Sequence, residues 1–215
     1  MIPRDGNCKS LWQDTAEAYQ PVNIPGSEQY DIIIVGGGIT GVSTALLLQK
    51  AGKKCLLLEA NSLCFGTTGG TTAHLNTLLD TTYDMISNNF GKENAKLVAQ
   101  SVKEAIEFIK GNIREHRIVC GFEETDAFLF AQTKEQEKEL AKIKESTIEA
   151  GVSADYTNKI PVAIAFSKAI QVKNQAKFIP TQYVQALAHA FEDAGGVIIQ
   201  QCRVTGAEEN EVINV

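Results

Sequence analysis

The chain has little of what builds metal centres and disulfide frameworks. It holds three histidines and an odd number of cysteines, five, and no two cysteines stand in a C-x-x-C arrangement. Zinc sites and disulfide scaffolds depend on closely spaced or paired cysteines, so this spacing predicts neither. We expect Cys55 to be a buried apolar residue, and for Cys64 a reactive thiol is the alternative to plain packing. The cysteines are Cys8, Cys55, Cys64, Cys120 and Cys202.

Long apolar runs and a surplus of positive charge are also missing. No stretch approaches the roughly 20 apolar residues that span a bilayer, and residues 1–7 lack the apolar core of a signal peptide. The formal net charge of −6 argues against nucleic acid or an anionic membrane as the main partner. With 44% hydrophobic and 21% charged residues, the composition is that of an ordinary globular chain. We therefore expect a cytoplasmic protein.

Residues 31–59 show the order of elements of a dinucleotide-binding fold. The apolar residues 32–35 predict a parallel strand buried on both faces. A glycine-rich turn follows, then a helix predicted over residues 40–51 and ended by Gly52, then a second strand that finishes at Glu59. This order predicts a cradle for the ADP half of FAD or NAD.

Each glycine of the turn at residues 36–41 has a predicted task. Gly36 would make the tight turn, Gly38 would let the main chain approach a pyrophosphate, and Gly41 would let the helix pack closely on the strand. Glu59 follows Gly36 by 23 residues, near the roughly 20-residue offset at which a carboxylate accepts hydrogen bonds from a ribose. A 2′-phosphate would meet a like charge there, which disfavours NADP.

A loop rich in threonine and glycine follows the second predicted strand, which ends at Glu59. Residues 62–74 contain three glycines and four threonines. Glycines let amide groups converge, and threonine hydroxyls can reach phosphate, ribityl and ring acceptors. A flexible surface loop is the alternative. The position directly after Glu59 favours a loop that contacts a flavin.

These motifs resemble those of the FAD-dependent oxidoreductases of the D-amino-acid oxidase and glycine oxidase superfamily. The resemblance runs over nearly the whole chain, and the opening residues and the threonine-rich loop are most similar to a subgroup that often carries a C-terminal Rieske iron–sulfur domain. That subgroup usually has a histidine at the position of Gly70 and a lysine at that of His74. The residues that carry the resemblance are 11–16, 36–41, Glu59, 66–74, 174–180 and 203–205, and the last of these are expected to form a strand.

After residue 174 the pattern returns to the first fold. Pro180 suits the first turn of a helix that Gly195 and Gly196 would end. Residues 197–201 then predict a further parallel strand of the first sheet. The helix would bury an apolar stripe formed by Tyr183, Val184, Leu187, Ala188 and Phe191.

The residues between the two halves predict a separate lobe. We expect helices over 75–90, 93–113 and 134–150, and strands at 127–131 and 169–173. The second helix would bury Val98, Val102, Ala105, Ile106 and Ile109, and Gly151 would end the third.

The predicted fold class is therefore α/β: a discontinuous Rossmann-like FAD/NAD(P)-binding domain with an inserted α+β lobe. The expected boundaries are an N-terminal arm at 1–29, anchored by Trp12 and Tyr19, a cofactor domain at 30–74 plus 175–215, and an incomplete substrate lobe at 75–174.

The resemblance implies an FAD-dependent oxidoreductase that takes hydride from a small amine or amino-acid-like substrate. Members of that family are longer, so this chain corresponds to their N-terminal part, and any Rieske partner domain would lie outside it. The alternatives are a truncated non-catalytic nucleotide-binding module and an NAD-binding reductase domain. No catalytic acid or base is predicted.

The resemblance also implies that Val204 offers its backbone to the adenine ring; from its own pattern Val204 would be a core residue. The expected cofactor-binding residues are Gly36, Gly38, Ile39, Thr40, Gly41, Glu59, Ala60, Gly66, Thr67, Thr68, Thr71, Thr72 and Val204.

Overall fold

The computed structural model describes residues 9–26, 29–209 and 213–214. Cys8 and parts of the predicted N-terminal arm lie outside these ranges. The chain divides into two units, each built around its own sheet. Unit 1 comprises residues 1–73, 112–120 and 179–215; unit 2 comprises 74–111 and 121–178.

Unit 1 is built on a parallel sheet with strand order β1-β2-β7. Helices α2 and α6 pack against each other, and the stripe predicted for α6 is confirmed, since its five apolar residues are fully buried. The elements of unit 1 are α1 (Leu11–Thr15), β1 (Ile32–Val35), α2 (Ile39–Lys50), β2 (Cys55–Leu58), α6 (Pro180–Asp193), β7 (Val197–Ile199), β8 (Glu208–Glu209) and β9 (Ile213–Asn214).

Unit 2 is built on an antiparallel sheet in which the long strand β6 pairs with β3, β4 and β5. A bulge interrupts the pairing of β4 and β6 between Thr125 and Ala127. The elements of this unit are β3 (His74–Leu75), α3 (Tyr83–Phe90), α4 (Lys92–Glu115, whose last residues belong to unit 1), β4 (Glu123–Ala131), α5 (Lys134–Glu149), β5 (Asp155–Thr157) and β6 (Lys168–Lys177).

Glycines end the helices where the sequence predicts. After α2, the Gly52 amide donates to the Gln49 carbonyl and the next amide, of Lys53, reaches back to Leu48. Gly52 has a φ of 82°, in the left-handed region that favours glycine. This pair of hydrogen bonds is the Schellman motif, and the same pair recurs at Gly151 after α5 and at Gly195 after α6.

Several local predictions are wrong. The predicted helix over 75–90 begins only at Tyr83, because the Thr77 amide donates to the Gln175 side chain (2.6 Å) and the Tyr83 hydroxyl donates to the Thr77 carbonyl (2.9 Å). In α4, Ala105 is exposed, whereas Ala95 and Ala99 are buried.

The sheet of unit 1 differs from prediction at two places. Strand β1 is half-buried rather than buried on both faces, and Val35 is 60% exposed, because β1 lies at the edge of the three described strands. Strand β7 ends at Ile199, since Gln201 takes a left-handed conformation (φ 57°), and residues 203–205 form no strand.

The units divide the chain at slightly different residues from those expected. Residues 112–120 group with unit 1 because the buried Asn112 side chain donates to the Tyr183 hydroxyl (2.9 Å) and the Ile179 amide donates to the Cys120 carbonyl (2.7 Å). Residues 175–178 group with unit 2, since β6 runs to Lys177.

Residues 9–26 of the predicted N-terminal arm are held by specific contacts. They contain helix α1 and are fixed to α6 through Glu192, a carboxylate that is only 5% exposed. Glu192 accepts hydrogen bonds from the Tyr19 hydroxyl and from the amides of Val22 (2.8 Å) and Asn23 (2.9 Å). Burial and this carboxylate raise the pKa of Tyr19 above its usual range. Tyr19 is thus the anchor that the sequence predicts.

Candidate functional site

The glycine turn between β1 and α2 is shaped by its own backbone. Gly36 has a φ of 109°, which favours glycine. A Cβ atom at Gly41 would overlap the Gly36 carbonyl oxygen and lie 3.5 Å from Ile34 Cγ2. The packing role predicted for Gly41 is therefore present, because only a residue without a side chain lets α2 approach β1 this closely.

The first turn of α2 presents its amide groups beside the threonine-rich loop. Gly38 is the N-cap residue, and the Ile39 amide donates to Thr68 Oγ1 (3.0 Å). A Cβ atom at Gly38 would lie 2.9 Å from the same hydroxyl oxygen. The helix start thus already accommodates one oxygen acceptor, the kind of group that a pyrophosphate would bring.

Glu59 stands directly after β2, next to the glycine turn. Its Oε2 atom accepts a hydrogen bond from the Gly37 amide (2.6 Å), and Oε1 accepts one from the Asn61 amide (2.7 Å). These two bonds fix the orientation of a half-buried carboxylate. Each carboxylate oxygen can accept a second hydrogen bond, so the fixed group can also receive ribose hydroxyls.

The threonine-rich loop docks on the glycine turn. The Cys64 amide donates to the Gly37 carbonyl (3.0 Å), and the Leu63 amide donates to Gln200 Oε1 (2.7 Å). Together with the bond between Thr68 and Ile39, these contacts bring the three motifs of the sequence, glycine turn, acid and loop, into one site.

The remaining predicted residues differ in exposure. Thr40, Thr67 and Thr72 are exposed, and Ala60, Gly66 and Thr71 are half-buried. Val204 is half-buried against the apolar cluster of Leu58 and Val197, which agrees with the packing role predicted from its own sequence pattern. Its predicted contact with adenine stays a prediction.

Backbone strain marks both ends of the loop. Cys64 (φ 62°) and Ala73 (φ 63°) are buried non-glycine residues in the left-handed region. This conformation costs roughly 1–2 kcal/mol for a residue with a Cβ atom, so surrounding contacts must hold the loop in place.

Cys64 does not fit the description of a reactive thiol. Burial, followed by the charge of Glu59, raises the pKa of the Cys64 thiol to about 12. At neutral pH the group is protonated and inert. Plain packing, the simpler of the two expectations for Cys64, accounts for this residue.

The sequence predicts Trp12 as an anchor of the arm, but not that Trp12, Ser10 and Gln13 hold the threonine-rich loop. The Trp12 indole donates to the Thr71 carbonyl (2.7 Å), and the Gln13 side chain donates to the Phe65 carbonyl (2.6 Å). The Ser10 hydroxyl donates to the Gly69 carbonyl. A signal was present, because Ser10 and Gln13 form the S-x-x-Q pattern of a capping box, which predicts the start of a helix.

The residues present fit a dinucleotide cofactor. A helix N-terminus without a side chain at its cap can receive a pyrophosphate, and the fixed Glu59 carboxylate can receive a ribose. Within the described ranges, no group of three or more histidine, cysteine, aspartate or glutamate residues could hold a metal ion. Nor does any described helix have the length and apolar character needed to cross a membrane.

Comparison with known sequences supports this interpretation. Residues 31–215 match the family model DAO, described as FAD dependent oxidoreductase. The chain is 32% identical over 193 residues to YhfW of Bacillus subtilis, which is named as a Rieske 2Fe-2S iron-sulfur protein. The match covers 90% of this chain and 38% of that relative. The chain is also 29% identical over 137 residues to gamma-glutamylputrescine oxidoreductase of Escherichia coli, covering 63% of this chain and 31% of the relative.

Solved structures share the fold. Glycine oxidase from Geobacillus kaustophilus superposes with a TM-score of 0.70 at 19% identity, covering 83% of this chain and 48% of that one. L-amino acid deaminase from Proteus myxofaciens gives 0.71 at 16% identity, covering 98% of this chain and 46% of that one. These neighbours and the parallel sheet confirm the predicted α/β fold class.

The chain spans about a third to a half of the length of the relatives and structures that it matches. The family model nevertheless extends well beyond the cradle, through both units and the return to the first sheet. FAD is the cofactor that this family uses, and the residues of the cradle fit it. Because the match covers residues 31–215, and not the glycine turn alone, the chain belongs to the DAO family of FAD-dependent oxidoreductases.

Proposed function

We propose that this chain forms the FAD-binding part of an oxidoreductase that takes hydride from a small amine or amino-acid-like substrate. The observation that carries the proposal is the fixed Glu59 carboxylate beside the N-terminus of α2, whose cap residue Gly38 has no side chain. Glycine oxidase, L-proline dehydrogenase and gamma-glutamylputrescine oxidoreductase among the relatives support the substrate class.

Different residues of unit 1 bind different parts of the cofactor. The amides at the start of α2 bind the pyrophosphate, Glu59 binds the ribose of the adenosine half, and the amides and hydroxyls of residues 66–72 orient the remainder of the cofactor. Bound FAD supplies a ring that accepts a hydride. The protein contributes binding, orientation and exclusion of water.

We infer that unit 1 is the cofactor domain and unit 2 the lobe that faces the substrate. Unit 2 contains a cavity of about 840 Å³ along β4, and its lining combines apolar side chains such as Phe128 and Phe130 with Asp126 and Lys177. A mostly apolar cavity with a few charged groups suits a small amine or amino acid.

A Rieske-type iron–sulfur domain is the partner that we propose for electron transfer from the reduced flavin. The support is the similarity to YhfW over 90% of this chain. The ligands of such a cluster would be two cysteines and two histidines from outside the described residues.

A ligand titration tests the cofactor assignment. We expect FAD to stabilise the purified chain against thermal unfolding, by about 2.7 kcal/mol at a hundredfold excess over its dissociation constant. NAD should give a smaller shift, and NADP the smallest because of the charge of Glu59. Bound FAD should also show a visible flavin absorption band. Stabilisation by NAD alone would favour a reductase domain, and no response to any of the three would contradict the proposal.

Two variants, each of which replaces a glutamate by the uncharged glutamine, locate the site. Glu59→Gln removes one acceptor at the cradle, so FAD should bind about tenfold more weakly. Glu208→Gln removes the same charge at an exposed residue of β8 and should bind FAD like the wild type. Hydrogen exchange with and without FAD should show protection at residues 36–41 and 59–72 of unit 1. Protection confined to unit 2 would refute the domain assignment.

A further inference from the structure

Helix α1 contacts the threonine-rich loop through three hydrogen-bonding side chains, one from its N-cap residue and two from its first turn. Ser10, Trp12 and Gln13 each donate to a main-chain carbonyl between residues 65 and 71. These partners are more than 50 positions away along the chain. The bonds from α1 occupy carbonyl oxygens of the loop and none of its amide groups.

Gln13 connects the helix to the loop with the two ends of its amide. Its Oε1 atom accepts from the Ser10 amide (3.2 Å), which completes the capping box of α1. Its Nε2 atom donates to the Phe65 carbonyl at 2.6 Å and reaches the Cys64 carbonyl at 3.5 Å. The side chain is therefore held in one orientation by the helix that it extends from.

The helix is in turn fixed to the body of unit 1. Thr181 Oγ1 of α6 donates to the Trp12 carbonyl (3.3 Å), and the arm that follows α1 is tied to α6 at Glu192. Gln185 of α6 donates to the Glu17 carbonyl (2.8 Å), two residues past the end of α1, and so fixes the arm rather than the helix. A helix of five residues would be marginal alone, so the bond from Thr181 to Trp12 helps give it a fixed position from which to hold the loop.

The loop needs such support because two of its residues are strained. Cys64 and Ala73 hold left-handed conformations at its ends, and Gly69 is so close to the Cys64 carbonyl that a Cβ atom would overlap it. Donors from α1 meet the Gly69 and Cys64 carbonyls themselves. Helix α1 thus supports the loop at one of its two strained residues, Cys64.

We propose that Trp12 and Gln13 are positioning residues for the cofactor, which act by fixing the threonine-rich loop so that its amide and hydroxyl groups meet the flavin nucleotide. The inference rests on the proposed function, because it assigns a task to the same site. The arm is then a part of the cofactor site and not only a cover for the core.

Two variants remove the donors and leave α1 intact. Gln13→Glu keeps the acceptor of the capping box and replaces the amide donor by a carboxylate that repels the two carbonyls. Trp12→Phe keeps an apolar ring and loses the indole N–H. The control is Gln185→Glu, which removes an equivalent link between the arm and α6 without touching the loop.

We expect both loop-facing variants of the purified chain to bind FAD about tenfold more weakly than wild type. At saturating FAD their visible flavin spectra should differ from that of the wild type, and hydrogen exchange at residues 64–73 of the apo protein should be faster. Gln185→Glu should match Gln13→Glu in thermal stability of the apo protein, yet keep wild-type affinity, spectrum and loop exchange.

Two results would overturn the inference. One is wild-type FAD affinity and spectrum in both loop-facing variants; the other is an equal loss of affinity in the Gln185→Glu control. If the wild-type chain binds no FAD at all, the proposed function fails and the cofactor role of Trp12 and Gln13 fails with it. Loop exchange then decides separately whether α1 holds the loop: unchanged exchange in Gln13→Glu would refute that step too.

Discussion

The glycine turn at residues 36–41 and the threonine-rich loop at 62–74 are hydrogen-bonded to each other, yet the shape of each depends on different further contacts. The turn is fixed locally, since Gly41 must lack a Cβ atom to avoid the carbonyl of Gly36, five residues earlier. The loop is fixed by donors from Ser10, Trp12 and Gln13, all more than 50 positions away. The sequence motif therefore predicts the shape of the turn, which depends on a nearby residue, better than the shape of the loop, which depends on distant ones.

Gly41→Ala should cause the largest loss of stability and of FAD binding, because it introduces a steric overlap within the glycine turn. Its Cβ atom would overlap a backbone oxygen that cannot move without opening the turn. We expect a loss of about 3 kcal/mol in the free energy of unfolding and no measurable FAD binding. Denaturant unfolding and an FAD titration measure both. Wild-type stability would show that the turn relaxes and that its shape is not fixed locally.

Gly69→Ala tests the loop with a neighbouring control. Its Cβ atom would overlap the Cys64 carbonyl and press on Gln13, whereas a Cβ atom at Gly70 would lie 3.8 Å from the nearest carbonyl oxygen. We expect Gly69→Ala to cost about 2 kcal/mol and Gly70→Ala less than about 0.5 kcal/mol in the free energy of unfolding. Equal effects of the two substitutions would mean that the loop is not packed as the structure shows.

Ala73→Gly should slightly increase the free energy of unfolding. Glycine removes the cost of the left-handed conformation but increases the entropy of the unfolded chain, which leaves a net stabilisation of about 0.5 kcal/mol. Ala150 is a matched control, since it is also buried but has a right-handed φ of −74°. There, glycine should destabilise. Thermal unfolding of both variants tests the sign of each change.

The smallest expected effect is the lack of reaction at Cys64. With a pKa of about 12, only about one thiol in ten thousand is ionised at pH 8. Iodoacetamide should therefore modify the half-buried Cys202 and leave Cys64 unmodified in the folded protein. Mass spectrometry of the labelled chain measures this. The ionised fraction rises with pH, so labelling of Cys64 should begin only near pH 12 or on unfolding; fast labelling at pH 8 would show that the loop opens.

Local chemistry made much of the fold predictable. The strand, turn, helix and strand of residues 31–59 follow from short apolar runs and glycines, and the helix ends at Gly52, Gly151 and Gly195 follow from the left-handed conformation that glycine tolerates. The buried stripe of α6 follows from helical periodicity. Where prediction failed, as at residues 76–82, a distant partner such as Gln175 takes the hydrogen bonds that a helix would have used.

The sequence alone determined that this chain has a dinucleotide cradle, because the spacing of Gly36, Gly41 and Glu59 satisfies steric and charge requirements that hold within one supersecondary unit. Only the tertiary structure decided what holds the neighbouring loop and the N-terminal arm. Trp12, Gln13 and Glu192 act on main-chain groups far along the chain, and hydrogen bonds of that kind leave no periodic pattern among the residues that make them.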